Sequence, residues 1–463
     1  MPSNKAGIIP RLRPRSAFAT LPVCPLNPRP LSCALRPSAC PGLLRIVQAL
    51  DGGICRIKLN GGALSANQAD AVAAAAERFA AGVIEATNRA NLQIRGIGRE
   101  QTPLIDSLLA AGLGPRTAAG DDVRNLMLSP GAGIDRQMLI DTRPLAEQIL
   151  GSLQSHPRFH ELSAKFAVQL DGGEALAMLE HHHDLWLSAV EQDGEYLLAF
   201  GLAGCPSDTA IAAVPLAQGH ALVIAVLELF LDLARPEQTR MRHLLGEYPL
   251  ADFVAALAER VPLLPVDYTP RIASAVHIGA HPQGQTGRVY VGAVPPLGRL
   301  DPAMLRGAAR LARQHGDGTL RFTPWQSLLL PNIAESAAAE VIHNLEKLGL
   351  RCSTADALAH VIACTGAAGC AKGLAETKGD ALQLAALLQR HGQILDVHLS
   401  GCARSCAAAH RAPVTLLAVS PGHYDLYFRD ATLPGFGALH ARNLTIEAVA
   451  SLLDDHSRSP LDA

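Results

Sequence analysis

Four cysteines fall into two tight pairs, Cys364 with Cys370 and Cys402 with Cys406, separated by residues 371–401. The spacing is Cys-x5-Cys followed by Cys-x3-Cys. Thiolates at such spacing bind iron–sulfur clusters or zinc. Structural zinc sites bring at least one Cys-x2–4-Cys hairpin, typically two, and Cys-x5-Cys is wide for that purpose. The spacing therefore favours four thiolates on two loops converging on a [4Fe–4S] cube, with zinc as the alternative. Gly366 and Gly369 allow the first loop to wrap closely around a bulky ligand. The other six cysteines (Cys24, Cys33, Cys40, Cys55, Cys205 and Cys352) share no spacing pattern and read as buried or incidental thiols.

Elements must carry these loops into place. Asp380–His391 patterns as a helix with Leu384, Leu387 and Leu388 near one face, Ile394–Leu399 as a strand, and Gly401 opens the turn that presents Cys402. Further upstream the chain repeats itself at an offset of 236: Gly62-Ala63-Leu64 lies over Gly298-Arg299-Leu300, Ala73 over Ala309, Gly82 over Gly318 and Thr87 over Thr323. Each copy predicts a Gly-x-Leu turn, an Ala-rich helix, a Gly break and a short strand (Val83–Thr87, Thr319–Thr323). Between the copies, Phe166–Leu170, Leu185–Val190 and Tyr196–Leu202 read as strands, with Asp193-Gly194 as a hairpin turn. Leu216–Ala234 and Leu250–Ala258 read as helices, and Pro262, Pro265 and Pro270 mark a linker.

Composition bounds the function. At 463 residues, 49% hydrophobic and 18% charged, the chain suits a soluble protein of several domains. A net charge of −2 gives no field that would draw nucleic acid. The most apolar stretch, Ala221–Leu233, is short and carries Glu228 and Asp232, so it reads as a buried helix and no membrane partner is expected. Residues 1–35 lack Asp and Glu, are rich in Pro and Arg, and read as a disordered extension. The expected location is cytoplasmic.

The Cys-x5-Cys…Cys-x3-Cys pattern resembles the cluster signature of the sulfite and nitrite reductases, which pair [4Fe–4S] with sirohaem. The resemblance implies an α+β fold: a pseudo-twofold duplication in which ferredoxin-like half-domains (36–105 and 261–340) alternate with two α/β halves (106–260 and 341–463), the last holding the cluster. It also implies substrate contacts. Thr87-Asn-Arg89-Ala-Asn91-Leu-Gln93 resembles the family's Thr-x-Arg strand, and Arg124-Asn125 its second substrate arginine. Ser163-Ala-Lys165-Phe166-Ala167 resembles a Lys-Phe-Lys run in which Ala167 replaces a lysine. Arg36–Gly42, Asn91–Gly96 with Gln93 and Arg95, Arg240–Leu245 and Pro295–Leu300 are similar to motifs of the family's oxygen-dependent precorrin-3B synthase branch. On that resemblance Arg89, Asn91, Gln93, Arg95, Arg124 and Lys165 bind a carboxylate-fringed tetrapyrrole, precorrin-3A. O2 is the oxidant, and NADH is an indirect electron source acting through a reductase or ferredoxin.

Losing a lysine at Ala167 argues against six-electron reduction of a small anion, which needs a dense cationic pocket. No bound sirohaem is therefore expected. A sirohaem sulfite or nitrite reductase is the alternative, and an electron carrier or zinc-stabilised scaffold a further one. His181-His182-His183 beside Asp184 invites a mononuclear non-haem iron as a second metal, but reads first as a surface loop. Trp325 stands where the repeat puts Arg89, so the second copy is expected to pack rather than bind, and Arg321 beside it to matter little.

Overall fold

The structure is a computed structural model that describes residues 40–271 and 276–458. The N-terminal extension and the first residues of the Arg36–Gly42 motif lie outside the described residues. The first quarter contributes β1 (Val47–Ala49), β2 (Gly52–Ile57), β3 (Ala63–Ser65), α1 (Ala66–Phe79), β4 (Val83–Ala86), β5 (Leu92–Ile97) and α2 (Thr102–Ala110). Next come α3 (Gly120–Val123), β6 (Leu126–Leu128), α4 (Arg143–Ser155), β7 (Val168–Asp171), β8 (Leu185–Gln192), β9 (Glu195–Leu202), β10 (Ala212–Pro215), α5 (Gly219–Leu233), α6 (Met241–Leu245) and α7 (Leu250–Ala258). The plan then repeats. β11 (Gly279–Pro282), β12 (Arg288–Ala293), β13 (Arg299–Leu300), α8 (Pro302–His315), β14 (Thr319–Phe322), β15 (Leu328–Ala334) and α9 (Ala338–Lys347) form the third quarter. The last holds β16 (Val361–Ala363), α10 (Thr377–His391), β17 (Val397–Ser400), β18 (Val414–Ser420), β19 (His423–Phe428), β20 (Ala438–Leu444) and α11 (Ile446–Arg458).

The repeat of 236 residues is physical. α1 and α8, β4 and β14, and the starts of β5 and β15 are each 236 apart. Even the caps match. Ser65 accepts from the Gln68 N–H (3.2 Å) in a capping box, and Asp301, its counterpart, accepts from the Met304 N–H (2.8 Å). The sheets run β1-β2-β5-β4-β13 and β11-β12-β15-β14-β3, so each copy donates its short strand to the other's sheet. Leu300 pairs with Ile84, and Leu64 with Leu320. This exchange covers an edge of each sheet and makes the two copies one core, in which α1 packs on α8 through Val72, Ala73, Ala76, Ala308 and Ala312.

The other two sheets also share a topology. β6, β7 and β8 are parallel, as are β16, β17 and β18, and each trio is followed by two antiparallel strands. The β8–β9 hairpin turns at Asp193-Gly194, with φ of 54° and 79° as a type I′ turn needs. The stretch Leu216–Leu233, which ends in helix α5 and is apolar enough by length and composition to cross a bilayer, buries Leu222, Val223, Val226, Leu227 and Phe230 in the core of this half. The whole is the α+β duplication with alternating half-domains that the sequence led us to expect.

Candidate cluster and anion site

Parallel strands of an open sheet point their C-terminal ends at ligands, and the cysteine loops leave from there. Cys364 directly follows β16, and Gly401-Cys402 follows β17. Gly366 takes φ +68°, and a Cβ there would meet the Thr377 backbone at 2.6 Å, so only glycine permits the turn. The Gly401 N–H points at Cys364 Sγ (3.2 Å), the Thr377 hydroxyl donates to the Cys364 carbonyl (2.7 Å), and Leu374 N–H bonds Gly401 O (2.9 Å). The two loops are thus sewn together. Burial raises the Cys406 thiol above its ordinary value, and the charges of Cys402, Cys364 and Cys370 raise it further. The other three thiols therefore lie within electrostatic reach of Cys406, and four thiolates on two joined loops are a donor set that fits an iron–sulfur cube. In the first α/β half the equivalent places hold Ser129, which follows β6, and Gly172-Gly173, which follow β7. That half offers no thiol at either place.

The first ferredoxin-like copy braces the loop. Arg95 donates to both Asp51 oxygens (2.9 and 2.8 Å), lies 3.6 Å from Glu85, and reaches the Gly369 carbonyl at 3.5 Å. Burial alone would lower this guanidinium's pKa, but Asp51 and Glu85 outweigh it and hold the group above its usual value. Asn88 and Gln326 donate to the Cys406 and Ala407 carbonyls (3.3 and 2.9 Å), one from each copy.

Beside Cys406 lies a concentration of positive charge. Arg89 sits at the tip of the β4–β5 hairpin rather than within a strand as expected, recessed yet still reachable by solvent. Burial, with the neighbouring Arg240 and Arg56, lowers its pKa to about 10. No hydrogen bond ties its guanidinium to another described residue. Arg56 feels both Cys40 and Cys406, and its Nε is buried without a partner. Among the described residues Arg240 alone of the three forms an ion pair, with Asp184 at 2.8–2.9 Å. Partly desolvated cations held together with fewer carboxylates than charges suit an anion that comes in from solvent. Arg56 and Arg240 were missed as site residues. Arg56 lies on an alternating strand with no motif, and its pairing with Gln93 across β2–β5 was the only signal.

The expected contacts divide. Gln93, opposite Arg56, shares its sheet face. Asn91 Oδ1 instead accepts from the Leu59 N–H (2.8 Å) and fixes the turn before β3. Arg124 is buried, with donors directed to Leu113 O, Gly114 O and Asp121 at 3.3–3.5 Å and its Nε unpartnered. Lys58, whose pKa burial lowers to about 7, clamps the carbonyls of Asp121 and Asp122 beside it (2.6 and 2.8 Å). Lys165 is exposed, and Ala167 is buried with its N–H on Asp184 (2.9 Å).

Two expectations are corrected. The 181–183 segment is not a surface loop: His181 and His183 are buried with rings 4.7 Å apart, and only His182 is exposed. The His183 Nδ1–H donates to His181 O (2.7 Å), its Nε2 is unpartnered, and burial, then Arg89, lower its pKa to about 3. Asp184 is saturated by Arg240 and by the N–H groups of Met241 and Ala167, so residues 181–184 do not form a His–carboxylate triad for iron. Arg321 is not idle either. It is buried and donates to Pro130 O (3.0 Å) and Ala132 O (2.7 Å), holding the loop after β6. Trp325 packs as expected, stacked on His277 at 5.1 Å and 11°.

Comparison with known proteins identifies the fold, and the matched segments cover both ferredoxin-like copies and the first α/β half, not the half that carries the cysteine loops. The model of the nitrite and sulphite reductase 4Fe-4S domain matches residues 119–263, and that of the nitrite/sulfite reductase ferredoxin-like half domain matches 47–112 and 281–348. The chain is 31% identical over 395 residues to a chloroplastic ferredoxin–nitrite reductase of Zea mays, covering 78% of this chain and 68% of that one. It is 31% identical to the ferredoxin–nitrite reductase of Synechococcus elongatus, covering 79% and 76%. A precorrin-3B synthase of Sinorhizobium sp is 28% identical over 394 residues, covering 84% and 82%. The solved structure of the Mycobacterium tuberculosis NirA protein shares the fold, with a TM-score of 0.74 at 24% identity, covering 89% and 82%.

Proposed function

We propose, on the premise that the chain belongs to the nitrite and sulfite reductase family, that it is an iron–sulfur monooxygenase of precorrin-3A. In this reading the enzyme hydroxylates C20 with O2 and closes the ring-A acetate onto C1 as a γ-lactone, the precorrin-3B synthase reaction of aerobic cobalamin biosynthesis. The observation that carries the reading is the composition of the anion pocket. Ala167, where the family resemblance expects lysine, is buried and engaged by Asp184, while Arg56, Arg89 and Arg240 supply planar forks suited to carboxylates. Reduction of nitrite or sulfite consumes many protons, yet burial keeps His181 and His183 unprotonated, with His183 at about 3. Such a pocket binds and orients a carboxylate-fringed ring better than it feeds protons to a small anion. The similar coverage of both chains in the match to the Sinorhizobium enzyme supports the same choice.

Cys364, Cys370, Cys402 and Cys406 would hold the cluster, which when bound supplies single electrons. NADH would reduce it through a ferredoxin or reductase. The substrate, not a resident sirohaem, would occupy the space beside Cys406. The second reading, a sirohaem nitrite or sulfite reductase, is favoured by the 31% identity to ferredoxin–nitrite reductases. The visible spectrum of anaerobically purified protein separates them. A broad brown shoulder without extractable sirohaem, and no nitrite or sulfite turnover with a strong donor, is the expected outcome. Stoichiometric sirohaem with turnover would establish the second reading.

A further inference from the structure

At the exposed middle residue of the 181–183 segment, three side chains of different metal-ligating chemistry come together. One ligand atom each from His182, Cys205 and Asp208 lies within 4.8 Å of the other two. We propose that these three residues bind a zinc ion. The site draws on none of the four cluster cysteines and does not depend on the reaction proposed above.

The backbone is built for it. Gly204-Cys205-Pro206-Ser207-Asp208 is a tight turn in which Cys205 and Asp208 stand three apart, the ligand spacing of a zinc knuckle with a carboxylate as the second arm. The Cys205 N–H donates to one Asp208 oxygen (2.8 Å), and the Asp208 N–H to the Cys205 carbonyl (2.9 Å). The turn is pinned from three directions. Ser207 donates its N–H and hydroxyl to Leu179 O (3.0 and 2.8 Å), Tyr268 donates to Pro206 O (2.5 Å), and the His183 N–H donates to Gly204 O (2.7 Å). The last contact lays the histidine segment alongside the turn and places His182 over it.

The donor set names the ion. Nitrogen, sulfur and carboxylate oxygen together suit zinc better than the all-oxygen preference of magnesium or calcium. A thiolate and a carboxylate together neutralise a divalent cation, and binding would release the thiol proton. Ligand atoms around tetrahedral zinc stand about 3.3–3.8 Å apart, so rotation of the exposed His182 and Asp208 side chains closes the set. Cys205 is 4% exposed, so its sulfur would form the buried side of the site, while His182 and Asp208 lie at the surface. His181 and His183, on either side of His182, are buried within electrostatic reach of Arg89. An ion on His182 therefore anchors the segment that forms one wall of the anion pocket.

The test uses the full-length, cluster-loaded protein from zinc-supplemented cells. Metal analysis after dialysis against a mild chelator should find about one zinc per chain, with an X-ray absorption shell of one sulfur and several light atoms. His182→Gln and Asp208→Asn, both at exposed positions, and Cys205→Ser should each retain under about a tenth of it while keeping iron and labile sulfide. Zinc absent from wild type and not taken up on titration would overturn the proposal. So would iron in its place, zinc kept by all three variants, or a four-sulfur shell, which would mean misloaded cluster cysteines.

Discussion

Arg89 and Trp325 occupy the same position in two copies of one turn. Thr87 N–H bonds Asn91 O (2.9 Å) as Thr323 N–H bonds Ser327 O (3.0 Å), and left-handed φ recurs at Ala90 (55°) and Gln326 (60°). The backbone is conserved between the copies while the chemistry has diverged. One turn presents a cation beside Cys406, and the other presents an aromatic ring that stacks on His277.

Arg89→Ala should therefore weaken substrate binding without disturbing the cluster. A partly buried, charge-assisted contact is worth about 1.5–3 kcal/mol, or roughly ten- to a hundredfold in affinity. Arg89→Lys should recover part of the loss, since lysine lacks the bidentate fork. Precorrin-3A titrations beside the visible spectrum would check this. Unchanged binding in Arg89→Ala would remove the residue from the site.

The bond from Arg95 to Asp51 carries a second prediction. Arg95→Ala removes the group that reaches the Gly369 carbonyl and leaves Asp51 unpaired. The cluster should form but bleach several times faster in air, and Asp51→Asn should show a milder version, read from the decay of visible absorbance. Cys364→Ser, Cys370→Ser and Cys402→Ser should each be nearly iron-free, whereas Cys40→Ser should keep its iron.

Arg321→Ala should destabilise the fold rather than alter binding. It leaves the Pro130 and Ala132 carbonyls buried without their donor, a loss of roughly 1–3 kcal/mol. The urea midpoint should fall while precorrin-3A affinity of the folded fraction holds.

Mild acid should destabilise the protein through its buried histidines. Burial lowers His277 to about 4, and its Nδ1 has no partner. Between pH 6.5 and 4 the unfolded chain takes up a proton that the folded one declines. Stability is therefore full above pH 6.5 and falls by up to about 1.4 kcal/mol per pH unit below it. His277→Phe, which keeps a ring against Trp325, should flatten this slope in denaturation midpoints at pH 7 and pH 5. An unchanged slope would show that other groups set it.

Much of this was legible in the sequence because it is local. The 236-residue offset, the Asp193-Gly194 turn and the two cysteine loops are each specified by residues close in the chain. What escaped is what packing decides. The exchanged strands are only two or three residues long and have no pattern of their own. Arg321 was expected to matter little because Trp325 replaces the binding arginine of its copy, and nothing near it in the sequence reveals the carbonyls of residues 130 and 132. A run of three histidines signals a polar loop, and nothing local in the sequence shows that the first and third are buried.

The most direct measurement is a reaction of the reduced, cluster-loaded protein with precorrin-3A under isotopically labelled O2, followed by mass spectrometry of the macrocycle. The proposed function requires a lactone product carrying one labelled oxygen atom, formed only with a reductant and lost in Cys364→Ser. Unchanged precorrin-3A from protein that contains sirohaem and turns over nitrite or sulfite would contradict it.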